Sequence, residues 1–303
     1  MKNKILVSGS LVYDKIMDFK GKFSDHIMAD KIHSLSVCFL VDKLKINFGG
    51  TAGNIAYNLK LLGEEPIILS QAGADFGDYS KWLKKNKICM DGIKLINSKN
   101  TASAHIVTDT SDNQITALHL ETMGVASGIN ERKIKSFGRA FIGIVSPGNA
   151  EDMMSAARVY KKLGIAYIAD PGQQIPALNS RELGYLVKDA YGLMCNDYEL
   201  ELIMKKLGLR SIKSLEKLVG FLVVTLGAKG SVIHSQGKRI KIPVIKPRRV
   251  VDPTGAGDAY RAGFIKGLSL GFDLEKSGKL GSWVAKFPVE YYGTQEHSFK
   301  FKK

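Results

Sequence analysis

VVDPTGAGDAYRAG, at residues 250–263, reads as a strand, a tight turn and the start of a helix. A β-branched pair leads into Asp252-Pro253-Thr254, a turn-forming run. Gly255-Ala256-Gly257-Asp258 then opens a segment with Tyr260, Phe264 and Leu268 at helical spacing. Small residues at such a junction let a ligand approach the backbone closely. The free N–H groups of a first helical turn, with the positive end of the dipole, suit an anion. A phosphoryl group in transfer is such an anion. Asp258 has two readings there. It is a base that takes a proton from an attacking hydroxyl while neighbouring N–H groups hold charge growing on phosphate, or it is a carboxylate favoured near a helix N-terminus for dipole and capping reasons alone.

The 303 residues suffice for one large α/β domain or two smaller ones with a sizeable core. Cys38, Cys89 and Cys195 are odd in number, far apart and without a CxxC pair, which fits a reducing compartment and idle thiols better than disulfides or zinc. Lys2 and Lys4 precede an apolar run that Ser8, Ser10, Asp14 and Lys15 break too soon for a signal sequence, and no stretch is long and apolar enough to span a bilayer. A cytoplasmic protein without a membrane partner is expected. The net charge of +15 raises the question of nucleic acid, but the lysines are spread along polar helix positions, with only a short basic tail at Lys300, Lys302 and Lys303. A solvated surface is the better reading.

Elsewhere, KILVSGS at residues 4–10 is a buried parallel strand whose C-terminal end faces a site, with Asp14 just beyond it. Asp14 is read as an acceptor for two neighbouring sugar hydroxyls or as a turn aspartate. Residues 16–48 and 102–120 alternate polar and apolar, as in Ile32–Val37 and Lys43–Phe48, and predict half-exposed strands of a small inserted sheet. Gly49-Gly50-Thr51-Ala52-Gly53-Asn54 is a second glycine-rich entry to a helix, ended by Gly63. Strand and helix patterns then alternate: 141–145, 151–163, 166–169, 193–195 and 221–225. This predicts parallel crossover units whose strand ends gather Asp14, Asn54, Asp170 and Asp258. Asn196 and Glu199, three apart at a helix start, suit either a capping box or magnesium held through its waters. Pro288 is expected to interrupt a helix over 281–290. Walker A, Rossmann and H-E-x-x-H patterns are missing from the sequence.

Three signatures in order, GGTAGN, NDYE and DPTGAGD, resemble those of the ribokinase-like, or PfkB, family of carbohydrate and nucleoside kinases. The resemblance covers nearly the whole chain. It implies one α/β kinase domain over residues 1–303, a parallel sheet flanked by helices, with 16–48 and 102–120 as an inserted β lid. It makes Asp258 the catalytic base and the Gly255, Ala256 and Gly257 amides the anion hole. Asp14, Gly49, Gly50 and Asn54 would bind the acceptor, Thr225, Gly227 and Asn196 the nucleotide, and Glu199 a metal through water. The cofactors implied are ATP and Mg²⁺, with a monovalent cation and a homodimeric assembly left open.

SVCFLV, DNQI, GDAYRAG and VEYYGTQEH look most like the adenosine and nucleoside kinase branch, which implies phosphorylation of a nucleoside 5′-hydroxyl, adenosine first. Phe39 and Phe48 would sandwich a purine or form core of the lid. A ribose- or fructose-type sugar kinase, and a non-catalytic nucleotide- or nucleic-acid-binding protein of the same fold, are the alternatives.

Overall fold

The computed structural model describes residues 4–111 and 113–301. Lys2, Asp112 of the DNQI string, Lys302 and Lys303 lie outside the described residues. In chain order the strands are β1 (Lys4–Ser8), β2 (Val12–Phe19), β3 (Val41–Gly49), β4 (Glu65–Gly73), β5 (Ile93–Ile96), β6 (Ser103–Thr108), β7 (Gln114–His119), β8 (Ile142–Val145), β9 (Tyr167–Ala169), β10 (Gly192–Asn196), β11 (Leu222–Thr225), β12 (Ser231–Ser235) and β13 (Lys238–Ile242). The helices are α1 (Thr51–Leu61), α2 (Gly77–Lys85), α3 (Glu131–Ser136), α4 (Ala150–Leu163), α5 (Ser180–Val187), α6 (Asp197–Leu207), α7 (Ile212–Glu216), α8 (Ala256–Ser269) and α9 (Leu274–Ala285).

The large sheet runs β13-β12-β11-β10-β9-β8-β1-β4-β5. It is parallel from β11 through β5, as expected, while β12 and β13 add an antiparallel edge. Its central strands are apolar on both faces, as burial under helices demands. In β1, Ile5 and Val7 join a core with α1, α2, α8 and α9, and the intervening Leu6 joins the opposite core with α4, α5 and α6. Helix ends follow local chemistry. Asn149 caps α4 through its side chain, and Gly164 at φ 64 closes it in the left-handed conformation a glycine takes without strain.

A second sheet, β3-β2-β6-β7, is built from the two alternating segments. It begins at Val12 rather than residue 16, and Asp14 lies on β2 instead of just past β1. Ile32–Val37 is not a strand. The chain there forms a 3-10 stretch, Ala29–Ser34, and then irregular backbone, because no neighbouring strand offers it a ladder. Pro288 breaks nothing: α9 ends at Ala285, and the proline takes the first position of a separate 3-10 turn, Pro288–Glu290, where its missing N–H costs little.

Candidate active site

The C-terminal ends of five parallel strands of the large sheet converge on one cavity of about 380 Å³. Ser10 follows β1, Pro147 follows β8, Asp170 follows β9, and Asn196 and Thr225 end β10 and β11. The N-terminus of α8 closes one side. The small sheet covers another: its register pairs Asp14 with Ala104 and Ala104 with Leu118, so these side chains share one face with Val12, and all four line the cavity.

At the floor, Asp258 stands in the first turn of α8, where Gly255 at φ 80 turns the chain. Asn54 Nδ2 donates to Asp258 Oδ2 at 2.9 Å. The Asn54 amide is itself held, its Oδ1 accepting from Thr294 Oγ1 at 2.8 Å and Gln295 Nε2 at 3.1 Å. Burial pushes the Asp258 carboxyl above the ordinary carboxylate range, Glu199 adds to the push, and Arg261 and Asn54 oppose it. The Ala256 N–H is engaged with Pro253 O at 3.2 Å, whereas those of Gly255, Gly257 and Asp258 meet no acceptor among the described residues. The free donors thus differ from the expected set of Gly255, Ala256 and Gly257 at one member, Asp258 standing in place of Ala256.

Asp14 owes its position to two glycines. A Cβ on Gly49 would overlap its carboxylate, so the missing side chain is the space the carboxylate fills. Gly50 at φ 88 carries the chain into α1 against the backbone of Ser10. Burial, with Asp252 and Asp258 nearby, pushes the Asp14 carboxyl up to about 7.

Asn196 and Glu199 form a full capping box at the start of α6: Asn196 Oδ1 accepts from the Glu199 N–H at 2.7 Å, and Glu199 Oε2 accepts from the Asn196 N–H at 2.8 Å. Both readings of the pair are compatible, since Glu199 lines the cavity and its Oε1 takes no part in the box. Thr225 also lines the cavity. Gly227, at φ 56 in the 3-10 turn Gly227–Lys229, stands outside it on the exposed surface.

Asp170, buried at the end of β9, pairs with Arg261 on α8. Nη2 lies 2.6 Å from Oδ1 and Nε 2.5 Å from Oδ2. Burial disfavours the guanidinium charge, but the Asp170 carboxylate overrides it and holds Arg261 above its ordinary range.

Residues 10–300 match the pfkB family carbohydrate kinase profile. The chain belongs to the pfkB family of carbohydrate kinases. As a ribokinase-like family member it is an ATP-dependent phosphotransferase with an alcohol acceptor. A nucleoside kinase of Methanocaldococcus jannaschii is 35% identical over 250 residues, 82% of this chain and 81% of its own length. The structure of a Burkholderia thailandensis nucleoside kinase in complex with inosine superposes at a TM-score of 0.87 and 33% identity, over 98% of this chain and 94% of that one. The crystal structure of the M. jannaschii nucleoside kinase superposes at 0.84 and 30%, over 98% and 96%.

Within this pfkB-family chain, Asp14, Gly50, Asn54, Asn196, Glu199, Thr225, Gly255, Gly257 and Asp258 all line the one cavity; Gly49, Ala256 and Gly227 do not. Sequence reasoning missed roles for Arg261, Thr294 and Gln295, although the strings GDAYRAG and VEYYGTQEH contain them. Arg261 had one available signal, its place three residues after Asp258 on the same helix face. Phe48 and Phe39 turn out to be packing residues: Phe48 stacks on Tyr79 at 4.7 Å, and Phe39 packs against Phe19 and Phe23. Neither lines the cavity.

Proposed function

We propose that the protein transfers the γ-phosphoryl group of ATP to the 5′-hydroxyl of a nucleoside, with adenosine among its acceptors. The observation that carries this reading is the single cavity shared by Asp14 on the small sheet and by Asp258 with the open N–H groups of α8. In this reading Asp14 accepts hydrogen bonds from the ribose diol, and Val12, Ala104 and Leu118 receive the base. Asp258 takes the hydroxyl proton as the oxygen attacks in line, and the N–H groups of Gly255 and Gly257 hold the charge on the transferring group. Apolar contacts to a base do not distinguish a 6-amino from a 6-oxo group, which favours broad purine acceptance and agrees with the inosine bound by the Burkholderia relative.

Asp14, Asp170, Glu199 and Asp258 face a cavity whose one lining cation among the described residues is Arg261. That excess of carboxylate fits a divalent cation, although no group of three His, Cys, Asp or Glu side chains among the described residues is placed to hold one directly. Mg²⁺ carried by the nucleotide phosphates, with Glu199 and Asn196 holding its waters, meets both facts, and when bound it would neutralise phosphate charge. We assign Thr225 and Gly227 to the nucleotide and the small sheet to a lid that excludes water. The same sheet exposes Leu44, Ile46 and Ile115 on its outer face, where a homodimer would bury them. Light scattering reads that assembly, and a monomer at micromolar concentration would reject it.

The test is ADP release from ATP·Mg²⁺ with adenosine, inosine, guanosine, cytidine, ribose and fructose, beside the Asp258→Asn variant. Turnover of nucleosides that the variant reduces by roughly 10²–10⁴ in kcat supports the reading. Turnover of free sugars alone would move the protein to the sugar-kinase side of its family.

A further inference from the structure

Arg261 sits one turn after Gly257 on α8, and helical side chains tilt toward the N-terminus, so its guanidinium lies back along the first turn of the helix. A Cβ built on Gly257 would stand 2.8 Å from Nη1. The nitrogen therefore occupies the space beside the Gly257 backbone, next to the open N–H groups. Asp170 engages Nε and Nη2 and leaves Nη1 without a partner among the described residues. The side chain is otherwise buried, 8% exposed, and its exposed part lines the cavity. A guanidinium hydrogen-bonded through Nη2, in ion-pair contact through Nε and open at Nη1 is set in orientation before any ligand arrives.

We propose that Arg261 Nη1 is a charged ligand of the transferring phosphoryl group, acting beside the backbone donors of α8, with Asp170 as its positioning residue. The inference rests on the kinase reading above. In the step, the acceptor hydroxyl oxygen forms a bond to the γ-phosphorus as the bond to the bridging oxygen of ADP breaks. The hydroxyl proton goes to Asp258, and Arg261 stays protonated throughout. Its need is electrostatic. A nucleoside triphosphate entering among four carboxylates meets one fixed cation, and that cation lies where charge on the equatorial oxygens must be held.

Removing Arg261 alone would strand the buried Asp170 carboxylate and could impair folding. The decisive variant is therefore the double substitution Asp170→Asn with Arg261→Met, which removes both charges, with Arg261→Lys as a second variant. Three quantities are measured: kcat with the best acceptor, the affinity for ADP·Mg²⁺ alone, and the affinity for ADP·Mg²⁺ with aluminium fluoride and acceptor, a mimic of the transferring group. The expected result is a kcat lower by about 10²–10⁴-fold, a similar loss of the fluoride complex, and ADP affinity within about threefold of the parent. Arg261→Lys should recover part of kcat while binding ADP normally. A double variant that keeps kcat and the fluoride complex within threefold would overturn the proposal. So would an equal loss of ADP and fluoride-complex affinity. Failure of the parent protein to phosphorylate any acceptor would instead strike the kinase reading, since the Arg261 result is read as the ratio of variant to parent.

Discussion

Asn54 Nδ2 donates to Asp258 Oδ2 at 2.9 Å, joining α1 to α8 across 204 positions of sequence. The same amide is held from behind by Thr294 and Gln295, so the orientation of Asp258 is set from the far end of the chain. An Asn54→Leu variant should lose about 10–100-fold in kcat, with the acid limb of its kcat/KM profile moved to higher pH. The direction follows because the Asn54 hydrogen bond favours the ionised Asp258. A pH–rate profile beside wild type checks both, and an unmoved acid limb would remove Asn54 from the tuning of the base.

Gly49→Ala places a methyl group on the Asp14 carboxylate. The acceptor KM should rise by at least about tenfold with kcat within about threefold, the split expected when binding geometry and not the chemical step is disturbed. Steady-state kinetics with varied nucleoside reads it. A lowered kcat at unchanged KM would contradict the role of Asp14.

The Asp14 carboxyl, pushed up to about 7, is neutral in the folded protein where the unfolded chain has already ionised. Its effect on the free protein is thus a loss of stability that begins near pH 4, grows as pH rises and is complete above pH 7. Asp14→Asn should stabilise the ligand-free protein by about 1–3 kcal/mol at pH 8 and leave it unchanged at pH 3, as urea unfolding would show. Acceptor binding should run the other way. The ionised carboxylate is the better acceptor, so KM for the nucleoside should fall as pH rises from 6 to 8, and the variant should flatten that dependence.

His297 is fully buried, its Nε2 2.9 Å from Asn58 Oδ1, and burial pulls it down to about 4. Folding therefore keeps this imidazole neutral. The stability it contributes is fully present above pH 6.5 and is lost as pH falls toward 4, by about 3 kcal/mol in all. Thermal unfolding between pH 7.5 and 4.5 should be steeper for the wild type than for His297→Gln. Parallel curves would place the acid sensitivity elsewhere.

Glu199→Gln separates the two readings of the NDYE string, because glutamine serves the capping box as well as glutamate does. The melting temperature should stay within about 2 °C, while the Mg²⁺ concentration for half-maximal rate should rise roughly tenfold. A variant with an unchanged Mg²⁺ requirement would leave Asn196 and Glu199 as a helix cap only.

Much of the site could be read in one dimension because its parts are locally encoded. The Gly255 turn, the Gly49-Gly50 junction and the Asn196/Glu199 cap each depend on residues within a few positions, and strand periodicity told which ends would meet. The errors fell where local pattern had to compete with distant partners. Ile32–Val37 has the alternation of a strand but no ladder to join, and of the two readings open for Phe48, base clamp and core, its stacking on Tyr79 favours the second.

The sequence by itself determined the alternating α/β layout, the order of the three glycine- and asparagine-marked junctions, and the family to which they belong. Each of these is a short-range property of backbone conformation or a pattern repeated along the chain. Only the tertiary structure decided that Arg261 is pinned by Asp170, that Asn54 is turned toward Asp258 by Thr294 and Gln295, and that Asp14 fills the space left at Gly49. These contacts bridge 35 to 241 positions of sequence. They exist because the packing of α1, α8 and the chain end against one sheet buries polar groups that must then find one another, and burial without a partner is too costly to leave their pairing open.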